Sequence, residues 1–468
     1  TAVAIGYDWL HDVLSPETKQ KVVASIKTKA LDLAVEEYKT GDNGSWAKRE
    51  TNWNVVCNAG MTLGALAVAE DYPELAEQII TNAVKYVPNC IELFAPDGVC
   101  YEGPAYWGYT NDFLSLLLKS LDDNFRTTFG LSELEGVSQA VMYYISSTSP
   151  SGKIFNFANS GGAGQENDPI FFYFSRKFNQ PEAAEYYRKI LSRTAGNSSF
   201  SRFYFLSIPW YDPATVTAAA LPKLKVFRNS INDIVVFNGD ASAENSIYLI
   251  AKTGDPDMAH QQLDVGTFII ETNGVRWSDD TGADSYSLPG FWDYKPDGQR
   301  WKYFRNTNFS HNTLSIDNKI QYSAGTGELA AYDEQATQPF VTMDISGVYQ
   351  GQATSAFRTF CLTGDTRMVI TDSVTLNKAS QQVCWSMITA ADVQCKGNTA
   401  VLTKDGKTFF VTLLSPAGAS FSASPAKTFT PEENPLEGYT VLSANVTGKQ
   451  VQVIKVMMSS TKDYTNIN

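Results

Sequence analysis

The pattern of hydrophobic and polar residues changes from one type to another near residue 215. Before it, apolar residues recur every three or four positions, as in amphipathic helices, and turn residues separate the segments. After it, short alternating or continuous apolar runs follow one another with turns between them and no intervening helical pattern. Helices first and strands afterwards predict an α+β chain of two domains, 1–215 and 216–468.

Capping residues and apolar spacing set the predicted helix boundaries. Ser15, Pro16 and Glu17 combine an N-cap residue, a first-turn proline and a first-turn acid, which predicts a helix reaching about Tyr38. Further helices are predicted at 54–70, 72–86, 111–121, 132–147 with Ser132 as its cap, 169–179 and 180–194. Because they form hairpin-like pairs with broad apolar faces, we expect an α/α toroid or a helical array.

The second half predicts a large antiparallel β-sandwich. More than ten β-rich segments occur there, among them 224–228, 233–237, 246–252, 340–345, 356–362, 367–374, 383–387, 408–414, 439–442 and 449–456. The run 267–272, which alternates apolar and polar residues, precedes Asn273-Gly274, a strong hairpin signal.

Charge and composition exclude several classes of partner. The 468-residue chain has a net charge of −13, which argues against general binding to nucleic acid or anionic membranes. No run of 18 apolar residues occurs, so no membrane span is expected. Nine Trp, 23 Tyr and 26 Phe make the chain rich in aromatic residues, which mostly pack in the core but also line carbohydrate clefts.

The chain opens at Thr1-Ala-Val-Ala, as a mature or shortened protein would, and we expect a periplasmic or secreted location. Its six cysteines show no CxxC pair, so zinc-finger and redox interpretations have little support. Cys90 and Cys100 form a disulfide or are buried thiols. The oligomeric state is left open.

Two of the three histidines lie in the β-rich half and mark candidate chemistry. His260 lies in the run 258–268, His311 lies in 308–317, and the acidic pair Asp279-Asp280 lies between them. The strand-like flanks predict that these groups lie on neighbouring strands of one sheet. Histidine suits proton transfer near neutral pH and metal binding. The alternative is that both are ordinary polar strand residues.

The helical half contributes two further clusters. Asn52 and Asn54 lie near a predicted helix start, where an amide can point into a cleft and neutralise a substrate carboxylate. Asn52 as a simple N-cap is the alternative. The predicted loop 96–109 carries Glu102, Tyr106 and Tyr109, which serve a substrate site or pack beneath the loop. The patch 156–164 is expected to line the same cleft.

Residues 291–305 form a basic and aromatic strip. It places Arg300 and Arg305 close to Trp292 and Trp301, together with Lys295 and Lys302. Arginine binds carboxylate or sulfate groups and rings cover sugar faces, so we expect this strip to line subsites for an anionic sugar. A solvated loop is the alternative.

Four motifs in order resemble those of the heparinase II/III-like polysaccharide lyases. They are Asn-Trp-Asn at 52–54, Asp-Gly-x-x-Tyr-Glu-Gly-Pro-x-Tyr-Trp at 97–107, His-x-x-Leu-Asp-x-Gly-x-Phe at 260–268 and Ser-His-Asn-Thr-Leu at 310–314. The resemblance implies an α/α toroid joined to a multi-sheet β-sandwich, with a cleft between them. It also implies β-elimination on uronic-acid polysaccharides, so the expected partner is an anionic polysaccharide or oligosaccharide.

The resemblance assigns roles to three residues. Asn52, or alternatively Asn54, neutralises the uronate carboxylate and thereby stabilises the enolate that develops. Tyr106 and His260 match the family's tyrosine and sandwich histidine, one as base for the C5 proton and the other as acid for the leaving O4. Their assignment depends on the C5 epimer and stays open, and in a syn elimination Tyr106 serves both purposes.

The family often carries a structural metal, commonly zinc, and this chain departs from that pattern. Asp280 and His311 match two ligand positions, but Gln262 stands where the motif His-x-His-x-Asp has its second histidine. Losing one imidazole weakens a zinc site, so retention of zinc or another divalent metal stays open. The Asn motif also begins earlier than usual, so we expect either a shorter toroid or one lacking its first helices.

Two other classes of function stay open. A glycoside hydrolase on a similar toroid needs two carboxylates, for which Glu102 and Asp97 are the available loop acids. A non-catalytic carbohydrate-binding relative is compatible with Gln262. The identity of the polymer and endo or exo action also stay open.

Overall fold

The computed structural model describes residues 1–42, 44–161, 168–194, 202–216, 221–240, 243 and 245–462. The chain forms two compact units. The helical unit comprises 1–100, 105–145 and 165–216, and the β unit comprises 101–104, 146–164 and 217–468. Two short segments from the first 215 residues therefore pack with the strands, which a single cut near residue 215 does not predict.

Helices account for most of the described part of the helical unit. They are α1 Ala2–Leu10, α2 Pro16–Ile26, α3 Asp32–Thr40, α4 Asn52–Ala67, α5 Pro73–Tyr86, α6 Pro88–Ile91, α7 Pro104–Phe125, α8 Ala140–Ser146, α9 Ile170–Phe178 and α10 Pro181–Thr194. The predicted cap is confirmed, because the hydroxyl of Ser15 accepts a hydrogen bond from the N–H of Thr18 at 3.2 Å. A π-helical turn, Lys27–Leu31, joins α2 to α3.

Two sequence predictions in the helical half are wrong, and so is one alternative that the sequence left open. Thr51, and not Asn52, is the N-cap of α4. Ser132 does not cap a helix that runs to residue 147, because a short 3₁₀ turn, Leu131–Glu133, precedes α8. The predicted loop 96–109 becomes helical at Pro104, so Tyr106 and Tyr109 lie in the first two turns of α7. Pro104 can begin a helix because the first helical N–H needs no partner.

Two acids are buried together inside the helical unit. Asp112 on α7 and Asp168 are 3% and 0% exposed. Burial raises the pKa of Asp112 well above its usual range, and the carboxyl of Asp168 raises it further. Asp112 therefore holds a proton more tightly than an ordinary carboxyl and can donate it to Asp168, since two carboxylates in contact resist ionising together.

The β unit contains three antiparallel sheets. Its strands are β1 Leu224–Phe227, β2 Ile234–Asn238, β3 Ile247–Lys252, β4 Phe268–Thr272, β5 Val275–Arg276, β6 Leu314–Ile316, β7 Glu328–Asp333, β8 Phe340–Asp344, β9 Ala353–Leu362, β10 Arg367–Leu376, β11 Val383–Thr389, β12 Asp392–Lys396, β13 Thr399–Lys404, β14 Lys407–Ser415, β15 Phe421–Pro425, β16 Thr440–Val446 and β17 Val451–Ser459. The sheet orders are β1-β2-β3-β4-β5, β12-β13-β14-β17-β10-β9-β8-β7 and β15-β16-β11-β6.

One hydrophobic core joins the three sheets. Phe268 of the five-stranded sheet, Ile370 of the eight-stranded sheet and Trp385 of the four-stranded sheet belong to the same buried cluster. The predicted Asn273-Gly274 turn is confirmed between β4 and β5. The order of helices followed by antiparallel strands is thus as predicted.

A buried ion pair connects the eight-stranded sheet to the segments around His260 and His311. Arg358 on β9 donates to both carboxylate oxygens of Asp372 on β10, at 2.6 and 3.0 Å. The same guanidinium donates to the carbonyls of Gly266 and Asn312 at 2.9 and 2.7 Å. Both charged side chains are fully buried, so this pair depends on complete hydrogen bonding.

Among the described residues, no helix combines the length and the hydrophobicity that a membrane span requires.

Candidate active site

His260 lies in a turn that follows β3, not on a strand. Its φ is +66°, a conformation that non-glycine residues adopt only when their surroundings impose it. The surroundings here include Tyr294, whose hydroxyl accepts the backbone N–H of His260 at 2.8 Å. The prediction that His260 and His311 lie on neighbouring strands of one sheet is wrong, because β4 and β6 belong to different sheets.

Glu102 faces the imidazole of His260 from the short segment 101–104. Its Oε1 lies 3.3 Å from Nε2 of His260, and its side chain is 1% exposed. Two amides fix the segment, because Asn232 donates to the carbonyl of Tyr101 at 3.1 Å and Gln261 donates to the same oxygen. Gln261, which follows His260 in the sequence, thus helps to hold the segment from which Glu102 contacts the imidazole.

Gly103 allows this segment to approach residues 157–160 closely. Its φ is +96°, and a Cβ at this position would clash with Oγ of Ser160 and lie 2.7 Å from the carbonyl oxygen of Phe157. Any side chain would therefore force the segments apart. The Glu-Gly-Pro order of the motif follows from these constraints: the acid contacts His260, the glycine fits the gap and the proline starts α7.

Asn159 contacts the other ring nitrogen of His260. Its Nδ2 lies 3.3 Å from Nδ1 of the imidazole. Its Oδ1 accepts hydrogen bonds from Nε2 of Gln262 at 3.1 Å and from Nη2 of Arg300 at 3.2 Å. The patch 156–164 was predicted to line a cleft, and its described part places Asn159 against His260. Residues 162–164 lie outside the described residues.

The structure places the arginines of the 291–305 strip in the interior. Arg300 is fully buried and donates to the carbonyls of Phe291 and Gln261 at 3.0 and 2.6 Å. Its guanidinium also lies 4.5 Å from the ring centroid of Tyr294. Arg305 pairs with Asp284 at 2.8 Å. These positions favour a role in holding the loops together over direct contact with a polymer.

The surroundings of His260 disfavour its protonation. Burial, and secondly the positive charge of Arg300, lower the pKa of His260 to about 3. The imidazole is consequently neutral in the ordinary range of pH. It can donate from one nitrogen and accept at the other, but it does not carry a positive charge.

Two exposed aromatic rings lie beside His260. Trp292 is 48% exposed and its ring meets the imidazole edge to face at 5.4 Å between centroids. Tyr286 is 40% exposed and lies 4.8 Å from Trp292 between centroids. Trp301, the second tryptophan of the strip, is only 2% exposed. Trp292 is therefore the predicted tryptophan that is available to a sugar, and Tyr286 accompanies it.

The metal prediction rests on Asp280 and His311. Nδ1 of His311 lies 3.2 Å from Oδ2 of Asp280, and both side chains are buried. Burial alone would lower the pKa of His311, but the Asp280 carboxylate beside it more than offsets this effect and raises the pKa. Among the described residues, neither ring nitrogen of His311 has a partner with good hydrogen-bond geometry.

The residues present do not fit a closed zinc site. Asp280 and His311 supply one carboxylate and one imidazole, whereas zinc prefers several nitrogen or sulfur donors. The amide nitrogen of Gln262 is engaged by Asn159. Across the part of the chain that the structure describes, no three His, Cys, Asp or Glu side chains come together as a metal-binding group.

The helical unit holds the other predicted residues. Asn52 is the first residue of α4 and is 1% exposed. Asn54 is fully buried and donates to the carbonyls of Ala47 and Tyr86 at 3.2 and 3.0 Å, which uses its amide within the fold. Tyr106 and Tyr109 are half-buried on α7, and the ring of Tyr109 packs 4.7 Å from the guanidinium of Arg202.

Sequence reasoning missed three contributors to the site. Tyr294 and Tyr286 lie beside His260, but nothing in their sequence context distinguishes them from core tyrosines. Asn159 was named only as part of a patch. The available signal for Asn159 was an amide in a stretch rich in Gly and Asn, where loops commonly present polar groups.

Comparison with known proteins defines the class of fold. Residues 234–465 match the family model described as heparinase II/III-like, C-terminal. Two of the four motifs, at 260–268 and 310–314, lie in the matched region, so the resemblance to the heparinase II/III-like proteins is confirmed for this part of the chain. A search of the curated proteins finds no match.

Solved structures extend the match to the helical unit. A heparinase III described as the BT4657 gene product is 16% identical with a TM-score of 0.68, over 95% of this chain and 64% of that one. The heparan sulfate lyase HepC from Pedobacter heparinus is 14% identical with a TM-score of 0.64, over 95% and 62%. A further heparinase III gives 14% and 0.65, over 97% and 72%. These likenesses confirm the predicted fold, an α/α toroid followed by a β-sandwich. The chain spans less than two thirds of the length of the first two proteins.

Proposed function

We propose that the protein is a polysaccharide lyase that cleaves a polymer containing uronic acid by β-elimination. The observation that carries this proposal is the arrangement around His260, which lies in a heparinase II/III-like domain between Glu102 and Asn159. The exposed rings of Trp292 and Tyr286 beside it provide a surface for sugar rings.

The reaction requires three chemical groups, and the predicted residues are of the types that can supply them. The C5 proton of a uronate becomes acidic enough only when its carboxylate is neutralised, a task we assign to the amide of Asn52. A base must then remove that proton and an acid must protonate the leaving O4. Tyr106 and His260 are the assigned pair, with Tyr106 able to serve both steps in a syn elimination.

The position of Tyr106 on its helix supports a step in which its phenol oxygen becomes negatively charged. Tyr106 is the third residue of α7, a helix of 22 residues. The first turn of a helix carries a partial positive charge from its backbone N–H groups. A phenolate oxygen formed during proton transfer is stabilised in such a position.

Heparan-type glycosaminoglycans are the first polymers to test, because similar structures include a heparan sulfate lyase. We infer a preference for polymers with few sulfate groups. Of the four cations in the 291–305 strip, Arg300 and Arg305 are turned to internal partners, and Lys295 and Lys302 are exposed.

The direct test is ultraviolet absorbance of the unsaturated uronate product, measured across a panel of uronic-acid polymers. Wild type is compared with Tyr106→Phe and His260→Ala, and with Tyr322→Phe as a matched control on a partly exposed tyrosine of the β unit. We expect absorbance to rise with wild type and the control, and not with the two site variants. A rise that survives both site variants contradicts the assigned residues.

The same samples separate the other classes of function. New reducing ends without ultraviolet absorbance identify a hydrolase, and retention of polymer without either product identifies a binding protein. The hydrolase has little structural support at Glu102, because that carboxylate is buried against His260. A glycosidase instead keeps two carboxylates on opposite sides of the bond that is cleaved.

A further inference from the structure

We propose that Asn159, oriented by Gln262 and Arg300, holds His260 as the tautomer that carries its proton on Nε2. Asn159 is thus a positioning residue that acts through His260. The tautomer can be established independently of the proposed lyase function, and only its kinetic consequence rests on that function.

The argument begins at Arg300, because a guanidinium can only donate hydrogen bonds. The atom of Asn159 that lies 3.2 Å from Nη2 of Arg300 must therefore be its carbonyl oxygen. The amide of Gln262 contributes a second donor to this oxygen at 3.1 Å. Two donors on one side fix the orientation of the Asn159 amide, which often cannot be assigned from shape alone.

This orientation leaves the amide nitrogen of Asn159 facing His260. Nδ2 of Asn159 lies 3.3 Å from Nδ1 of the imidazole. An amide nitrogen has no lone pair to offer, so it must donate and Nδ1 must accept. A neutral imidazole that accepts at Nδ1 carries its proton at Nε2, and burial beside Arg300 keeps the ring neutral.

The contact of the second ring nitrogen agrees with this tautomer. Nε2 of His260 lies 3.3 Å from Oε1 of Glu102, so its proton points to a carboxyl oxygen. The opposite tautomer would place an N–H against the N–H of Asn159 and a lone pair against Glu102. Both contacts would then be repulsive, and the buried groups could not turn to water for partners.

Gln262 acquires a function from this arrangement. It stands two positions after His260, where the resemblance implies a metal-binding histidine, and here its amide donates to Asn159. In this chain hydrogen bonds from Gln262 and Arg300 fix the group that faces His260. The nearby residues fit zinc poorly, which agrees with a glutamine that donates a hydrogen bond where the family has a metal ligand.

The tautomer limits what His260 can do in the reaction. With Nδ1 occupied by Asn159 and Nε2 protonated toward Glu102, neither nitrogen offers a free lone pair to a C5 proton. Removal of that proton then falls to Tyr106, and the N–H of His260 stays directed at Glu102. This assigns the base that the residue types alone leave open.

The test is nitrogen NMR of the full chain labelled at histidine with ¹⁵N. Only three histidines occur, and the His260 signals are identified by their loss in His260→Gln. We expect wild type to show a protonated-type shift at Nε2 and a lone-pair-type shift at Nδ1. A proton on Nδ1 in wild type overturns the proposal.

Two variants probe the cause of the tautomer. Asn159→Asp presents only acceptors to Nδ1, so we expect a proton to appear on Nδ1. Gln262→Met removes one donor and conserves volume, so we expect signals of both tautomers. Gln452→Met is the matched control, since Gln452 is buried on β17 and bonds the carbonyl of Lys449. Unchanged His260 signals in folded Asn159→Asp contradict the proposal.

Kinetic measurements distinguish a failure of the proposed tautomer from a failure of the proposed lyase function. On a polymer that wild type cleaves, we expect Asn159→Asp to lower kcat by about 10- to 100-fold with little change in KM, as loss of an orienting partner commonly does. Gln452→Met should leave kcat unchanged. If the protein is a lyase but His260 carries its proton on Nδ1, the proposed tautomer is wrong and the proposed function stands. If His260 has the predicted tautomer but no lyase product forms, the proposed function is wrong and the tautomer stands.

Discussion

At the scale of single residues, the properties of His260 come from partners far away in the sequence. Its motif identified it as a candidate for proton transfer. Its neutral state, however, depends on burial and secondly on Arg300, and its orientation depends on Asn159 and Glu102. The sequence could not supply these contacts because they join four separate segments. The same limit explains why Arg300 was predicted at the surface although it is fully buried.

The neutral state of His260 leads to a prediction about pH. Because burial and Arg300 lower its pKa to about 3, His260 does not titrate between about pH 5 and 9. We expect His260→Gln to reduce kcat about 10- to 100-fold, through loss of its placed donor, and to leave the midpoints of the pH–kcat profile in place. A profile measured with both proteins is the check. Loss of the acidic limb in the variant would show that His260 titrates after all.

Asp112 leads to a prediction about stability and pH. Its pKa is raised in the folded state by burial and by Asp168, so the folded protein binds more protons than the unfolded chain. Stability contributed by this pair is therefore present below the unfolded pKa and is lost as pH rises toward the folded one. We expect Asp112→Asn to raise the melting temperature at pH 8 more than at pH 5.

The control for this experiment is Asp8→Asn on the exposed face of α1. It makes the same chemical change without relieving a buried pair. A melting temperature that shifts equally at both pH values in Asp112→Asn would contradict the shared proton.

At the scale of elements, the predictions succeeded where pattern and capping act locally. The caps and apolar spacing of α2 and α5 placed these helices nearly as they are found. The start of α7 was missed because 96–109 was predicted as a loop, whereas Pro104 is the first helical residue. Strand β7 was not among the predicted strands, because it is exposed along most of its length and lacks the apolar alternation on which those predictions rest.

Gly103 permits a sharp test at this scale. In Gly103→Ala the new Cβ meets Ser160 and Phe157, and φ is positive, so we expect a loss of about 1–3 kcal/mol of stability and displacement of Glu102. Gly130→Ala is the matched control, because Gly130 has φ of +85° and nothing within 4 Å of a Cβ. Chemical unfolding of both variants isolates the effect of the clash. Equal losses would show that only the backbone conformation matters at residue 103.

The buried pair Arg358–Asp372 makes a second prediction for the β unit. Arg358→Met leaves the Asp372 carboxylate buried without its partner, and we expect destabilisation of about 3–5 kcal/mol in urea unfolding. Combining it with Asp372→Leu removes the stranded charge and should recover most of the loss. A double variant as unstable as the sum of the singles would contradict this account.

At the scale of the whole molecule, the change of hydrophobic period gave the order of helices and sheets correctly. It did not assign 101–104 and 146–164 to the β unit, because these segments are too short to carry a period of their own. Their positions are defined by hydrogen bonds such as that from Asn232 to the carbonyl of Tyr101. Glu102 and Asn159, both contacts of His260, lie on these two segments.

Net charge predicts how the molecule discriminates among polymers. The chain carries −13, and Arg300 and Arg305 are engaged internally. We expect an unsulfated uronate polymer to be cleaved with kcat/KM about tenfold above that of a heavily sulfated polymer of the same backbone at low salt. Added salt should narrow the difference by screening. A preference for the sulfated polymer at low salt would contradict the inferred substrate class.

The most direct measurement of the central claim compares two products in one digest. Unsaturated uronate ends are counted by absorbance and new reducing ends are counted chemically, with Tyr106→Phe run beside wild type. β-Elimination generates the two kinds of end in equal numbers, and we predict that equality with wild type and neither product with the variant. Reducing ends that accumulate without unsaturated ends would contradict the assignment of this protein as a lyase.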